Sequence, residues 1–168
     1  MRWVRAFLRG FGCAFRGIGR TVREERNFRI HLTAVSFVIL FGIWYEVTAF
    51  QAAVLAIVCG IVLVAELLNS AVEAAVDFCS CRLDPLAKKA KDAGAGGGLV
   101  TAMLSVAVFV ILFRDPAHWM LVWDKLRFPG GLIPAALAVG GILFVCWGGN
   151  GKSSGERPED TERNAESE

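Results

Sequence analysis

Three familiar signals are missing from this sequence, and each absence removes a class of function. No G-x-x-x-x-G-K-[ST] order occurs, so there is no Walker P-loop of the kind that cradles nucleotide phosphates in soluble kinases. Cys79 and Cys81 stand as C-x-C without a second Cys/His pair, which leaves the spacing of a zinc site unmet. Together with Cys13, Cys59 and Cys146 they are scattered over apolar or juxtamembrane positions, form no disulfide framework, and read as reduced, unpaired thiols. From Met1 to Arg29, arginines interrupt the aromatics, so the continuous apolar core of a cleavable signal is also missing, and the chain is expected to insert intact.

Apolar residues are abundant instead. They make up 55% of the 168 residues, too much for an ordinary soluble domain of this size, and they are gathered into blocks. A helix needs roughly 20 mostly apolar residues to cross a hydrocarbon core. Leu32 to Phe50, Phe50 to Leu68, Gly94 to Phe113 and Leu132 to Trp147 are the candidates, the last being short and rich in glycine. The fold class predicted is an all-α membrane protein with an N-terminal surface helix, three core spans and a fourth C-terminal span. The expected segments are a surface helix over 1–30, a core over 31–113, an external connection over 114–131, the fourth span over 132–148 and a disordered acidic tail over 149–168.

Between Trp3 and Ile18 the apolar residues recur every three or four positions with Arg2, Arg5, Arg9 and Arg16 among them, an amphipathic pattern suited to the membrane surface. Glycines 10, 12, 17 and 19 weaken its intrinsic helicity. Eight arginines lie between Arg2 and Arg29, and Arg82, Lys88, Lys89 and Lys91 precede the third span. Positive residues beside short loops mark the cytoplasmic side, so both stretches are expected there, with Glu46 to Gln51 and Arg114 to Gly131 outside.

The chemistry is concentrated in ELLNSAVEAAVD, Glu66 to Asp77, which continues from the apolar run without a turn signal. On one helix, Glu66, Asn69, Glu73 and Asp77 are spaced by three, four and four residues and share a face. Interhelical glue normally uses one or two neutral polar groups; stacked carboxylates repel one another unless a cation lies between them. A second cluster, DPLAKKAKDAGAGGG from Asp84 to Gly98, sets lysines beside small residues, a composition suited to a polyphosphate. A third, EERNFRIH from Glu24 to His31, puts Glu25 where it can share a divalent cation with Glu73. His31 reads there as an interface residue.

These three stretches, in this order and spacing, resemble the small prokaryotic diacylglycerol kinase family, which includes the undecaprenol kinases; the resemblance covers about Arg16 to Phe113. It implies an ATP-dependent, magnesium-using kinase of a membrane lipid alcohol, diacylglycerol or undecaprenol, in the prokaryotic inner membrane. It also implies a homotrimer with active sites shared between subunits at the cytoplasmic surface, and no nucleic-acid partner. Carried onto this sequence, the resemblance makes Glu66 the general base, Glu25 and Glu73 the magnesium ligands, and Asn69 an amide that orients Glu66 or the phosphates. Lys91 and Asp92 would contact the nucleotide, with Arg82 and Asp84 in the loop that approaches it. The sequence departs on the surface helix, where Ala6 and Cys13 replace an arginine and a tyrosine of some members, leaving Arg5 or Arg9 as substitutes for ATP contact. The fourth span and the tail lie outside the shorter members' pattern. The alternative reading of the same carboxylates is a cation path through a small transporter or channel.

Overall fold

The computed structural model describes residues 2–79, 84–127 and 131–147. Six helices fill them: α1 (Arg2–Glu24), α2 (Arg26–Tyr45), α3 (Ala49–Cys79), α4 (Pro85–Leu112), α5 (Pro116–Leu126) and α6 (Leu132–Trp147). Three of these, α2, α3 and α4, are long and apolar enough to cross a membrane. Ile39, Ile57, Val64, Met103 and Val110 along them are more than half exposed, an apolar exterior that suits hydrocarbon. The chain is therefore an all-α, multi-span membrane protein, as its composition predicts.

Helix α1 runs unbroken for 23 residues through its four glycines. Phe7, Phe11 and Phe15, one helical turn apart, are each at least 50% exposed, so no described part of the protein covers that face. An open aromatic face of this kind belongs in the interfacial layer of a bilayer. The joint to α2 is the single residue Glu25, in extended conformation at φ −99 and ψ 114. The first span consequently starts at Arg26, six residues earlier than the apolar pattern suggests, because α2 carries its polar first turn beyond the apolar run.

Helix α3 is one continuous helix of 31 residues, about 46 Å at 1.5 Å per residue, against an apolar core of roughly 30 Å. Its polar third therefore projects beyond the apolar layer. Helix α4 starts as its sequence dictates: Pro85 occupies the first turn, where a missing N–H costs nothing, and the Asp84 carboxylate accepts from the Leu86 N–H at 2.8 Å. It returns antiparallel along α3.

The ends of the bundle away from that polar third are closed by aromatics. Tyr45 and Phe113, 1% and 3% exposed, pack edge to face at 4.7 Å, with Phe41, Leu55, Phe109 and Val122 around them. The connection over 114–131, expected as an external segment with no helix assigned to it, contains α5, which Asp115 caps through the Ala117 N–H. Tyr45 fixes α5 twice, its hydroxyl donating to the Asp115 carbonyl at 3.0 Å and accepting from the Asp115 N–H at 2.9 Å. Lys125 on α5 donates to the Trp44 carbonyl and to Glu46 at 2.8 Å. Glu46, with φ 59, is the one non-glycine at positive φ among the described residues, and Lys125 clamps this strained turn between α2 and α3.

Helix α6 packs on α2. Its 16 residues span about 24 Å, short of a full hydrocarbon crossing, yet it lies antiparallel to α2 along most of that helix's depth. A Cβ added at Gly141 would overlap the Thr33 methyl, so the two backbones meet there because one residue has no side chain. The predicted acidic tail over 149–168 lies outside the described residues.

Replacing Tyr45 by Phe removes both bonds to Asp115 and should lower stability by about 1–3 kcal/mol, the cost of stranding a buried backbone polar group. Thermal unfolding in detergent micelles checks this; an unchanged midpoint would show that Tyr45 does not hold α5. Acid should act at the same end. The Lys125 hydrogen bond and charge hold the Glu46 carboxyl below its ordinary value. Its tie to α5 is thus complete above the ordinary carboxylate range and is lost as pH falls through the lowered value. Emission from Trp119 and Trp123 should shift as pH falls below the ordinary carboxylate range, and Lys125→Met should remove that dependence; an identical acid response in the variant would show that the Glu46–Lys125 pair does not hold α5.

Candidate active site

The polar third of α3 follows from the length of its apolar run. From Ala49 to Ala65 the helix carries no charged side chain, so Glu66 is the first one met on leaving the apolar layer, with Glu73 about 10 Å further along the axis and Asp77 about 16 Å. Glu66 and Asn69 are 6% and 8% exposed, although the helix around them is largely open. They are covered by α4.

Two glycines make that cover possible. A Cβ at Gly94 would stand 2.6 Å from Asn69 Oδ1, and one at Gly98 would stand 3.5 Å from Glu66 Oε2. Gly94 and Gly98 are one turn apart on the α4 face that meets α3, and the polar side chains of α3 lie against bare helix there. Small residues at a membrane helix interface permit this kind of close approach. Sequence reasoning assigned the glycines to a polyphosphate. The structure gives Gly94 and Gly98 to the helix contact and leaves Gly96 and Gly97 open, with nothing within 4 Å.

The amide of Asn69 is divided between two roles. Its Nδ2 donates to Glu73 Oε1 at 3.1 Å, whereas Oδ1 is buried without a hydrogen-bond partner. The amide thus orients Glu73 rather than Glu66. A stranded buried acceptor costs about 1–3 kcal/mol, a cost natural proteins accept mainly where a ligand or water supplies the missing donor. Ser70 Oγ donates to the Glu66 carbonyl, a local bond that keeps the hydroxyl from the site.

Glu25 and His31 approach from α2. Glu25, at the α1–α2 joint, makes no side-chain capping bond to the helix it begins and is half-buried. The charges of His31, Glu25 and Glu73 all act on the Glu66 carboxyl. His31 lines an apolar cavity between α2, α3 and α4 with Val35, Leu55 and Val62, a placement that its position at a helix boundary does not signal.

The remaining expected residues divide. Lys91, at the start of α4, forms an ion pair with Asp77 at the end of α3, binding the two helices across the site's mouth. Asp92 is exposed beside it, with Lys88 and Lys89. Asp84 serves as the N-cap of α4. Arg82 and Cys81 lie outside the described residues. Cys13, Cys59, Cys79 and Cys146 are free thiols, and among the described residues no group of three or more His, Cys, Asp or Glu side chains is arranged to hold a metal ion by itself.

Residues 12–113 match the family model for prokaryotic diacylglycerol kinase. The chain belongs to that family. The match takes in every residue of the cluster, and it makes the protein an integral-membrane lipid kinase with ATP as phosphoryl donor. The chain is 37% identical over 107 residues to an undecaprenol kinase of Bacillus subtilis, covering 64% of this chain and 87% of the relative. It is 35% identical to a diacylglycerol kinase of Synechocystis over 67% of this chain and 65% of the relative, and 29% identical to a diacylglycerol kinase of Escherichia coli over 62% and 86%. The resemblance read from the three motifs is borne out. Nothing in the comparisons favours a cation path.

Gly94→Val should push Asn69 away from α4 and disorganise Glu73 with it, lowering kcat/KM for lipid phosphorylation by at least about tenfold, or 1.4 kcal/mol of transition-state stabilisation. Gly97→Ala, on the open face, should stay near wild type. Equal activities in the two variants would contradict the packing role assigned to Gly94.

Proposed function

We propose that the cluster Glu66–Asn69–Glu73, with Glu25, is where this kinase transfers the γ-phosphoryl group of ATP to the hydroxyl of diacylglycerol or undecaprenol. The observation that carries the reading is the buried Glu66 at the end of an apolar run, with a second carboxylate and a stranded amide oxygen within two turns. A lipid hydroxyl arriving at the membrane surface meets Glu66 first.

Glu66 acts as the general base. As the lipid oxygen bonds to the γ-phosphorus, the bond from phosphorus to the bridging oxygen of ADP breaks, and the hydroxyl proton passes to the Glu66 carboxylate. Asn69 holds Glu73 through Nδ2 and offers Oδ1 to a donor on a substrate or water. Lys91, Lys88 and Lys89 supply positive charge at the mouth of the site for the nucleotide's phosphates, Lys91 exchanging its bond to Asp77 for one to phosphate. Asp92 is exposed for contact with the nucleotide, and Asp84, the N-cap of α4, lies at the same end of the helix; Arg82, outside the described residues, is assigned to the nucleotide from the sequence alone.

The donor set fits magnesium. That ion is held in kinases by one or two carboxylates together with substrate phosphates, and Glu73 and Glu25 are two carboxylates with no cationic partner among their recorded bonds. When bound, magnesium neutralises charge on the transferred phosphoryl group.

The excess of arginine on α1 and of lysine at the start of α4 supports a cytoplasmic site in the inner membrane, since both flank the same end of the spans. A homotrimer with shared sites fits the shape of α4, which has no buried residue of its own despite 28 residues of length.

The decisive assay uses radiolabelled ATP with each lipid in detergent micelles. The wild-type chain should label diacylglycerol or undecaprenol, and Glu66→Gln should lose turnover by at least about a thousandfold while still binding ATP. Near-normal turnover in Glu66→Gln would remove Glu66 from the role of base.

A further inference from the structure

Arg29 is 1% exposed, and the contacts of its guanidinium join three helices. From α2 its Nη1 donates to the carbonyls of Val22 at 3.1 Å and Arg23 at 2.9 Å, in the last turn of α1. Its Nη2 donates to the carbonyl of Val145, at the end of α6, at 3.3 Å. Nε is buried without a partner, so these carbonyls are the recorded hold on the whole group. Carbonyls at helix C-termini have no partner within the helix and carry the negative end of its dipole, which makes a buried cation between two such ends favourable.

Glu25 stands between Arg23 and Arg29 in the chain, as the extended joint between the two helices. The angle between α1 and α2 is set there, and with it the placement of Glu25, whose charge acts on Glu66. Helix α6 begins nineteen residues after the family match ends at Phe113, so its contact with Arg29 is an addition of this chain to the shared core.

We infer that α6 is a positioning element of the active site: its C-terminal carbonyl, through Arg29, holds the α1–α2 joint so that Glu25 is presented to the nucleotide's metal. The inference rests on the reading of Glu25 as a metal ligand. Two observations besides the bonds of the Arg29 guanidinium carry it. The contact between α6 and α2 at Gly141 and Thr33 has no space to spare, which fixes the position of α6 along α2 one turn before Val145. The Thr33 hydroxyl donates to the Arg29 carbonyl at 2.9 Å, which keeps the Thr33 side chain from swinging aside.

The test exploits that fit. Gly141→Ala should drive α6 off Thr33 and loosen the bond from Arg29 to Val145. In the double variant Gly141→Ala, Thr33→Ala, the new Cβ faces the retained Cβ of residue 33 at 3.6 Å, an ordinary contact, so the seat of α6 should be restored. The full-length enzyme in micelles is assayed against magnesium at fixed ATP and lipid. Gly141→Ala should raise the magnesium concentration for half-maximal activity by about fivefold with kcat changed less than twofold, and the double variant should return to wild type.

Glu25→Gln, measured alongside, separates the two possible failures. If it leaves magnesium dependence unchanged, the reading of Glu25 fails and the inference falls with it. If Glu25→Gln raises the requirement while Gly141→Ala does not, or while the double variant fails to recover, α6 does not position Glu25 and the inference alone is overturned. A purely structural role for α6 predicts loss of kcat and of thermal stability together, with the magnesium requirement unmoved, which also overturns it.

Discussion

The close approach of α4 to α3 at Gly94 and Gly98 governs what the polar end of this protein can do. Two helices with ordinary side chains at their contact would stand too far apart to cover Glu66 and Asn69, and both would face open headgroups and water. With glycine at both positions, α4 presents bare backbone to the polar face of α3 and removes it from solvent. Burial then acts on the chemistry. It strands Asn69 Oδ1, fixes Asn69 against Glu73, and covers Glu66, the group on which the proposed base role rests. The ion pair between Lys91 and Asp77 holds the same two helices one turn beyond the cluster and is partly exposed.

The two ends of the bundle are built differently because they do different work. At one end Tyr45, Phe113 and their aromatic neighbours form the only cluster of buried apolar side chains among the described residues, and α5 is bonded down over it. At the other, the buried groups include Arg29, Glu66 and Asn69, none of which would be chosen for stability. Stranded polar groups at the site end are tolerated because the aromatic end anchors the helices against one another. Most of each helix between these ends shows apolar side chains to its surroundings, which is stable only in lipid or against further copies of the chain.

Much of this was legible in the sequence because local rules govern it. The absence of a turn signal before Glu66 correctly made α3 one helix, and the periodicity placed Glu66, Asn69 and Glu73 on one face. Asp84 and Pro85 marked the start of α4, and the order of the three motifs identified the family. What was not legible depends on contacts distant in sequence. Arg29 looked like one more interfacial arginine, since nothing near it in sequence announces a carbonyl at Val145. The glycines of α4 suggested a phosphate cradle, because spacing alone does not say whether a helix or a ligand fills the space beside them. Helix α5 was missed where Asp115 and Pro116 repeat the start signal of Asp84 and Pro85, a pattern that could have found it. His31 was passed over because a single histidine at a helix boundary has no local partner.

The central claim is that nucleotide and metal gather at the polar end of α3 and α4. Paramagnetic relaxation in the isotope-labelled, full-length enzyme tests it most directly, with manganese replacing magnesium in the ATP complex. The Asn69 side-chain amide and the backbone amides of Gly94 to Gly98 should be strongly broadened, and those of Tyr45, Phe113 and α5 should be unaffected. Broadening that spares Asn69, or that centres on the aromatic end, would contradict the account.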